Sequence, residues 1–263
     1  MGITVQDVIN HLTSPVGEIE NTVDTLKFGT PTMDVTGIAI TFMPTYDAIK
    51  KAVELGANML ITHEGLFYSH WDKTELEDDQ VYLEKYNLIK ESGIAVFRNH
   101  DYIHRYQPDG IMQGLLQSLQ WDSYEEQNEP VVSIVEIPTM TLKEVAEYLK
   151  NKLDINYVRS MGNPTKNCAR IGLLAGYRGG GLTAIPLFEK YNLDLIIYGE
   201  GPEWETPEYV RDSISQGRDI SLIVLGHAES EQPGMVYLSK QLEKEFPTIP
   251  IRFISNKPCF DIL

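Results

Sequence analysis

Cysteine is scarce in this chain, which has only Cys168 and Cys259 in 263 residues. Two thiols so far apart in sequence build neither a disulfide framework nor a cysteine-based zinc knot. Any metal must therefore be held by histidine and carboxylate. Long apolar runs are missing too: nothing approaches the roughly 18 uninterrupted residues of a membrane span. The opening MGITVQDVINHLTS lacks the charged-then-apolar pattern of a signal peptide. The expectation is a soluble, cytoplasmic chain with no membrane partner. Basic residues are few, 22 against 38 acidic ones, for a net charge of −16. Holding a nucleic-acid backbone calls for clustered lysine and arginine, so this balance argues against that class of partner. No G-x-S-x-G elbow, P-loop, H-E-x-x-H or C-x-x-C occurs. His63-Glu64 opens like the zinc-protease motif, but Phe67 and Tyr68 stand where its second histidine belongs.

What is present is rhythm. Apolar runs of four to seven residues alternate with amphipathic helical patterns, the βαβ cadence of an α/β chain with mainly parallel sheets. After a helix near Val5–Leu12, strands are expected at Gly37–Phe42, Asn58–Thr62 and Ile94–Arg98. Helices follow near Tyr46–Leu55, Val81–Glu91 and Gly110–Leu119. The polar run Ser123–Pro130 has no apolar period and ends in proline, so it reads as a linker. A second series follows, with strands at Val131–Ile137, Ala169–Leu174, Leu193–Tyr198, Ser221–Leu225 and Ile251–Ile254. Its helices lie near Leu142–Lys152, Thr183–Tyr191, Pro207–Gln216 and Gly234–Phe246. The reading is two similar α/β domains, 1–125 and 126–263, with the C-terminal elements free to pack back on the first.

Four of the six histidines stand just past a strand: His63, His100 and His104, and His227. In open parallel sheets, ligands bind beyond the carboxyl ends of the strands. His227 and Glu231 are four residues apart, as are His100 and His104, a spacing that places both side chains on one helical face and suits a shared ion. His63 and Glu64 are adjacent where the chain turns. These three segments make a convergent metal site the leading expectation. His11 reads as surface, and His70 as a loop residue whose claim rests on neighbouring Asp72.

Four blocks, THEGLF (62–67), HDYIH (100–104), IIYGEG (196–201) and GHAESE (226–231), stand in an order and spacing that cover nearly the whole chain. Through them the chain resembles the Nif-three-like (Ngg-one-interacting factor three) dinuclear metal centre family, whose members are also labelled GTP cyclohydrolase I type 2 homologues. The family's second histidine of the T-H-H block is Glu64 here, and the aspartate closing its second block is His104. Three histidines and two carboxylates are kept. The resemblance implies two α/β domains facing each other across a metal-containing cleft, with two divalent transition-metal ions held by His63, Glu64, His104, His227 and Glu231. Asp101 is a reserve ligand. It also implies a homohexamer and a small-molecule substrate, nucleotide-like or phosphorylated.

Two divalent ions that bridge a water lower its pKa and offer hydroxide to an electrophile, which is hydrolytic chemistry. Imidazole and carboxylate suit Zn, Fe, Mn, Ni or Co alike. His100 matches the family's non-ligand histidine and is the candidate for proton transfer or for hydrogen bonding to water, with Glu200 a second candidate in the same cleft. The alternatives are a non-catalytic metal-binding or protein-interaction role and, more distantly, a dinucleotide-binding oxidoreductase. Gly179-Gly180-Gly181-Leu182-Thr183-Ala184 formally fits G-x-G-x-x-A. A milder reading of the loop 176–181 is an anion nest assisted by Arg178.

Overall fold

The structure, a computed structural model, describes residues 2–71 and 73–260. The chain is mixed α/β, with one sheet in each of two compact units: residues 1–110 with 235–263, and residues 111–234.

In the first unit, strands β1 (Leu26–Phe28), β2 (Ile38–Thr41), β3 (Met59–Thr62), β4 (Ala95–Arg98) and β11 (Ile251–Ile254) pair in the order β1-β4-β3-β2-β11. All neighbours are parallel except β1, which runs antiparallel to β4. Strands β2, β3 and β4 are buried at every residue, as covered parallel strands must be, and are apolar up to the Thr41, Thr62 and Arg98 that end them. Ala39, Leu60, Val96, Ile49 and Ile89 form one core against helices α2 (Tyr46–Glu54) and α3 (Gln80–Ser92). Helix α1 (Val5–Thr13) starts on a reciprocal Thr4/Asp7 capping box. Helix α3 stops at Gly93, whose φ of +66° suits glycine. β11 belongs to this sheet, paired with β2, so the strand read last in the second series returns to the first.

In the second unit, β5 (Glu125–Glu129), β6 (Val132–Thr141), β7 (Arg159–Met161), β8 (Asn167–Leu174), β9 (Leu195–Tyr198) and β10 (Ser221–Val224) pair in the order β5-β6-β8-β9-β10-β7. β8, β9 and β10 are mutually parallel, and the flanking pairs are antiparallel. Val132, Leu174, Ile196, Tyr198 and Leu222 pack under α7 (Gly181–Lys190) and α8 (Thr206–Ser215). Helix α6 (Leu142–Leu153) opens on a second capping box, Thr141 with Glu144.

The run read as a linker is instead a 3-10 turn at Asp122–Tyr124 and then the edge strand β5. Its side chains are mostly exposed, so no apolar period marks it, and one of its charges is used: Arg170 reaches Glu126 at 2.5 Å, as well as Glu136 of β6 at 3.2 Å. Helix α9 (His227–Glu245) starts seven residues before the expected Gly234, running through Pro233. Gly234 does not break the helix. It lets the backbone pass Ile111 of α5 (Gly110–Leu119), where an added Cβ would lie 2.5 Å from the Ile111 Cα. Among the described residues, no helix is long and apolar enough to cross a membrane.

Candidate metal centre

Strand register builds each donor set. In the first sheet Thr41, Thr62 and Arg98 form the last rung, so His63-Glu64 and Asn99-His100 leave the sheet side by side. A one-turn helix, α4 (Asp101–His104), then brings His104 back beside His100. The rings of His63 and His100 stack at 4.5 Å between centroids, and each lies 5.1 Å from that of His104. One ring nitrogen from each falls within 4.8 Å of the others, a cluster able to hold an ion.

The outer nitrogen of every ring has an assigned acceptor. His63 Nδ1 meets the Asn99 carbonyl at 3.2 Å, His100 Nδ1 meets Asp101 at 3.0 Å, and His104 Nδ1 meets Asp109 at 3.0 Å. Donating from Nδ1 makes Nε2 the lone-pair nitrogen, the tautomer a metal ligand needs, and the acceptor raises its basicity. Burial, the largest effect, lowers the pKa of His100 to about 4; nearby His63 and His104 act in the same direction, against the Asp101 hydrogen bond. This ring is neutral at pH 7. Asp101 engages both oxygens, one with His100 and the other with Thr22 Oγ1 at 2.8 Å and the Val23 amide at 3.2 Å. These bonds, that of His100 foremost, hold its carboxyl well below the usual range. Asp24 accepts from the amides of His100 and Tyr102 and so anchors the start of α4, while burial raises its pKa.

Glu64 is matched by a fully buried cation. Arg98 Nη2 lies 3.4 Å from the Glu64 carboxylate, and Arg98 Nε donates to the His63 carbonyl at 3.1 Å. The same guanidinium donates to the carbonyl of His70 and meets His70 Nδ1 at 3.2 Å. His70 thus sits beside the histidine cluster, its ring 4.9 Å from His100. Asp72, on which its expected role rested, lies outside the described residues.

In the second sheet the last rung is Leu174, Tyr198 and Val224, so Gly176, Glu200 and Gly226-His227 emerge together. His227 Nδ1 meets Glu200 at 2.9 Å, and its Nε2 meets Glu231, one helical turn on, at 3.1 Å. Glu231 is buried. Gly176, at φ +67°, donates its amide to Ser230 Oγ at 2.9 Å, and Ser230 donates to the His227 carbonyl at 2.8 Å. A Cβ at Gly176 would collide with the Glu231 carboxylate. The expected anion nest is filled from within the chain: the Gly181 amide, at the start of α7, donates to Glu205 at 2.5 Å, where a dinucleotide's pyrophosphate would have to sit.

Arg98, Asp109, Asp24 and Ser230 escaped the sequence reading. Only the turn signal around Pro108-Asp109-Gly110 hinted that the chain doubles back on His104.

Imidazoles with fixed tautomers beside buried carboxylates, at the carboxyl ends of parallel strands, are groups that can bind metal ions. That donor chemistry on a two-sheet α/β chain defines the class. A family model described as Duf34/NIF3 (NGG1p interacting factor 3) matches residues 5–259, and the chain belongs to that family. A "GTP cyclohydrolase 1 type 2 homolog" of Clostridium acetobutylicum is 29% identical over 208 residues, covering 76% of this chain and 73% of that one. The protein of the same name from Clostridium perfringens is 23% identical, covering 90% and 88%. The crystal structure of a Bacillus cereus protein related to NIF3 superposes with a TM-score of 0.80 over 100% of both chains at 14% identity, a likeness of fold.

Proposed function

We propose that this chain is a metal-dependent hydrolase that binds two divalent ions, with His63, Glu64, His104, His227 and Glu231 as the ligands. The observation that carries the reading is the common tautomer: at His63 and His104, Nδ1 faces an oxygen acceptor, which makes Nε2 the donor nitrogen. When bound, a pair of divalent ions supplies Lewis acidity and acidifies water toward neutrality. The donor set fits Zn, Fe, Mn, Ni or Co. His100, held through Nδ1 by Asp101, presents Nε2 toward the cluster as a hydrogen-bond acceptor for substrate or water. Glu200, the second candidate, meets Nδ1 of His227 and so also orients that ring. Two curated relatives bear the name of a GTP cyclohydrolase homologue, and the net charge of −16 disfavours polyanions, so the substrate is a small nucleotide-like or phosphorylated molecule. The homohexamer implied by the sequence resemblance belongs to the same proposal.

Metal analysis of protein purified without added metal tests the centre. About two equivalents of transition metal are expected, lost in His63→Ala and in His227→Ala; a metal-free protein indifferent to both changes refutes it. Turnover of nucleotides, phosphoesters and cyclic amides with Mn, Zn or Fe, abolished by Glu231→Ala, separates the hydrolase from a non-catalytic binding role. The latter has the exposed Leu182 and Trp204 behind it and predicts metal without turnover.

A further inference from the structure

Within the first unit, a cavity of about 480 Å³ opens beside Glu64. Its walls are Met43, Thr45 and Tyr46 at the start of α2, the loop from Glu64 to His70, and Lys85 of α3. Lys85 is the unusual member: a lysine on the second turn of a surface helix, yet only 3% exposed. Its Nζ donates to the Leu66 carbonyl, and the rings of Phe67 and Tyr68 lie 5.7 and 5.2 Å away. Among the described residues no carboxylate pairs with it, and the carboxylate in the lining, Glu64, is matched by Arg98 instead. Burial alone pulls the Lys85 pKa down to about 8, so at neutral pH this residue of the cavity wall carries an ammonium with one backbone partner.

An ammonium withdrawn from water without a counter-ion is costly, and an anion entering beside it would offset that cost. The surroundings favour the same ligand. The Thr45-capped start of α2 places the positive end of a helix in the wall. Tyr68 is held at φ +61°, a strained conformation for a tyrosine, with its ring over the Lys85 ammonium. Tyr46, Tyr68 and Met43 give the remaining walls an aromatic and apolar character that suits a planar ring.

We propose that this cavity is a substrate subsite, in which Lys85 is the counter-charge for the carboxylate or phosphate of a ring-bearing small molecule whose reactive group lies toward Glu64. The orientation toward Glu64 rests on the metal-centre reading; the anion site itself stands without it.

Calorimetric titration of the full chain with phenyl phosphate and with benzoate, on metal-loaded and on chelator-dialysed protein, tests this. At least one of the two anions is expected to bind in both preparations, and Lys85→Met to weaken that binding at least about thirtyfold. The better of the two identifies the anionic group. If neither binds, or if Lys85→Met binds as well as wild type, the subsite is refuted while the metal centre stands; binding to dialysed protein that depends on Lys85 sustains the subsite even if no hydrolysis is ever found. A second measurement covers a variant that fails to fold. In wild type, bound anion should slow acetic anhydride labelling of Lys85, read by peptide mass spectrometry, and leave exposed Lys50 unaffected. Equal labelling rates with and without an anion that binds refute the proposal.

Discussion

Gly176→Ala is the most incisive perturbation of the second-unit donor pair, because it adds a single carbon and touches neither His227 nor Glu231 in sequence. At φ +67° the residue lies in the left-handed region, where an alanine costs about 1–2 kcal/mol. The new Cβ would lie 2.8 Å from the Glu231 Cδ and 3.4 Å from His227 Nε2, and it would overlap a carboxylate oxygen. Overpacking of this kind costs about 1–3 kcal/mol in a tight environment. Together the two effects give about 3 kcal/mol, which lowers the midpoint of thermal unfolding by about 6–12 °C in a chain of this size. The displaced carboxylate should also cost bound metal, measured as equivalents per chain after dialysis. A double-mutant cycle isolates the collision: in a Glu231→Ala background the oxygen is gone, and Gly176→Ala should cost only the backbone part, leaving a coupling of about 1–3 kcal/mol. Wild-type melting and metal content in Gly176→Ala, or full additivity in the cycle, would refute the packing of Gly176 against Glu231.

Asp109→Asn keeps the shape beside His104 but removes the charge that orients its Nδ1, so metal affinity should fall about tenfold or more in competition with a chromophoric chelator. For Lys85 the folded pKa is depressed from 10.5 to about 8, so the folded chain binds fewer protons than the unfolded one between those values. Stability therefore rises as pH climbs from about 8 to 10.5, by up to about 3 kcal/mol. Lys85→Met should remove that rise and gain the same amount below pH 8, as urea titrations across this range would show. Gly234→Ala brings a Cβ against the Ile111 backbone, where relief requires α9 and α5 to separate within the second unit. A loss of at least about 2 kcal/mol in urea unfolding is expected.

The central strands were legible because β2, β3, β4, β9 and β10 are buried along their whole length, and β8 over its last four residues, and so are mostly apolar; the expected runs at these six fall within two residues of the observed ends. Edge strands β1, β5 and β7 were not. Three-residue β1 and β7 are too short to show a period, and β5 is a solvated strand whose acidic residues look like a linker until Arg170 lies across them. The start of α9 was misplaced for a related reason. Pro233-Gly234 is a breaker by local chemistry, and only the closeness of Ile111, more than a hundred residues away in sequence, shows why glycine stands in mid-helix.

At the site, local sequence proposes the ligands and says nothing of what holds them. Glu64 and His104 depart from the family pattern in charge, and sequence alone presents them as a trade of one carboxylate for one imidazole. The structure gives each its own supporting group: buried Arg98 meets Glu64, and Asp109 meets Nδ1 of His104. A carboxylate beside Arg98 opposes its charge, whereas a protonated imidazole there would face a buried cation. At position 104, conversely, an aspartate would oppose the Asp109 carboxylate 3.0 Å from the present ring nitrogen. The two exchanges are therefore fixed independently by their neighbours, and restoring either family residue alone, Glu64→His or His104→Asp, should weaken metal binding more than its similarity to the family pattern would lead one to expect.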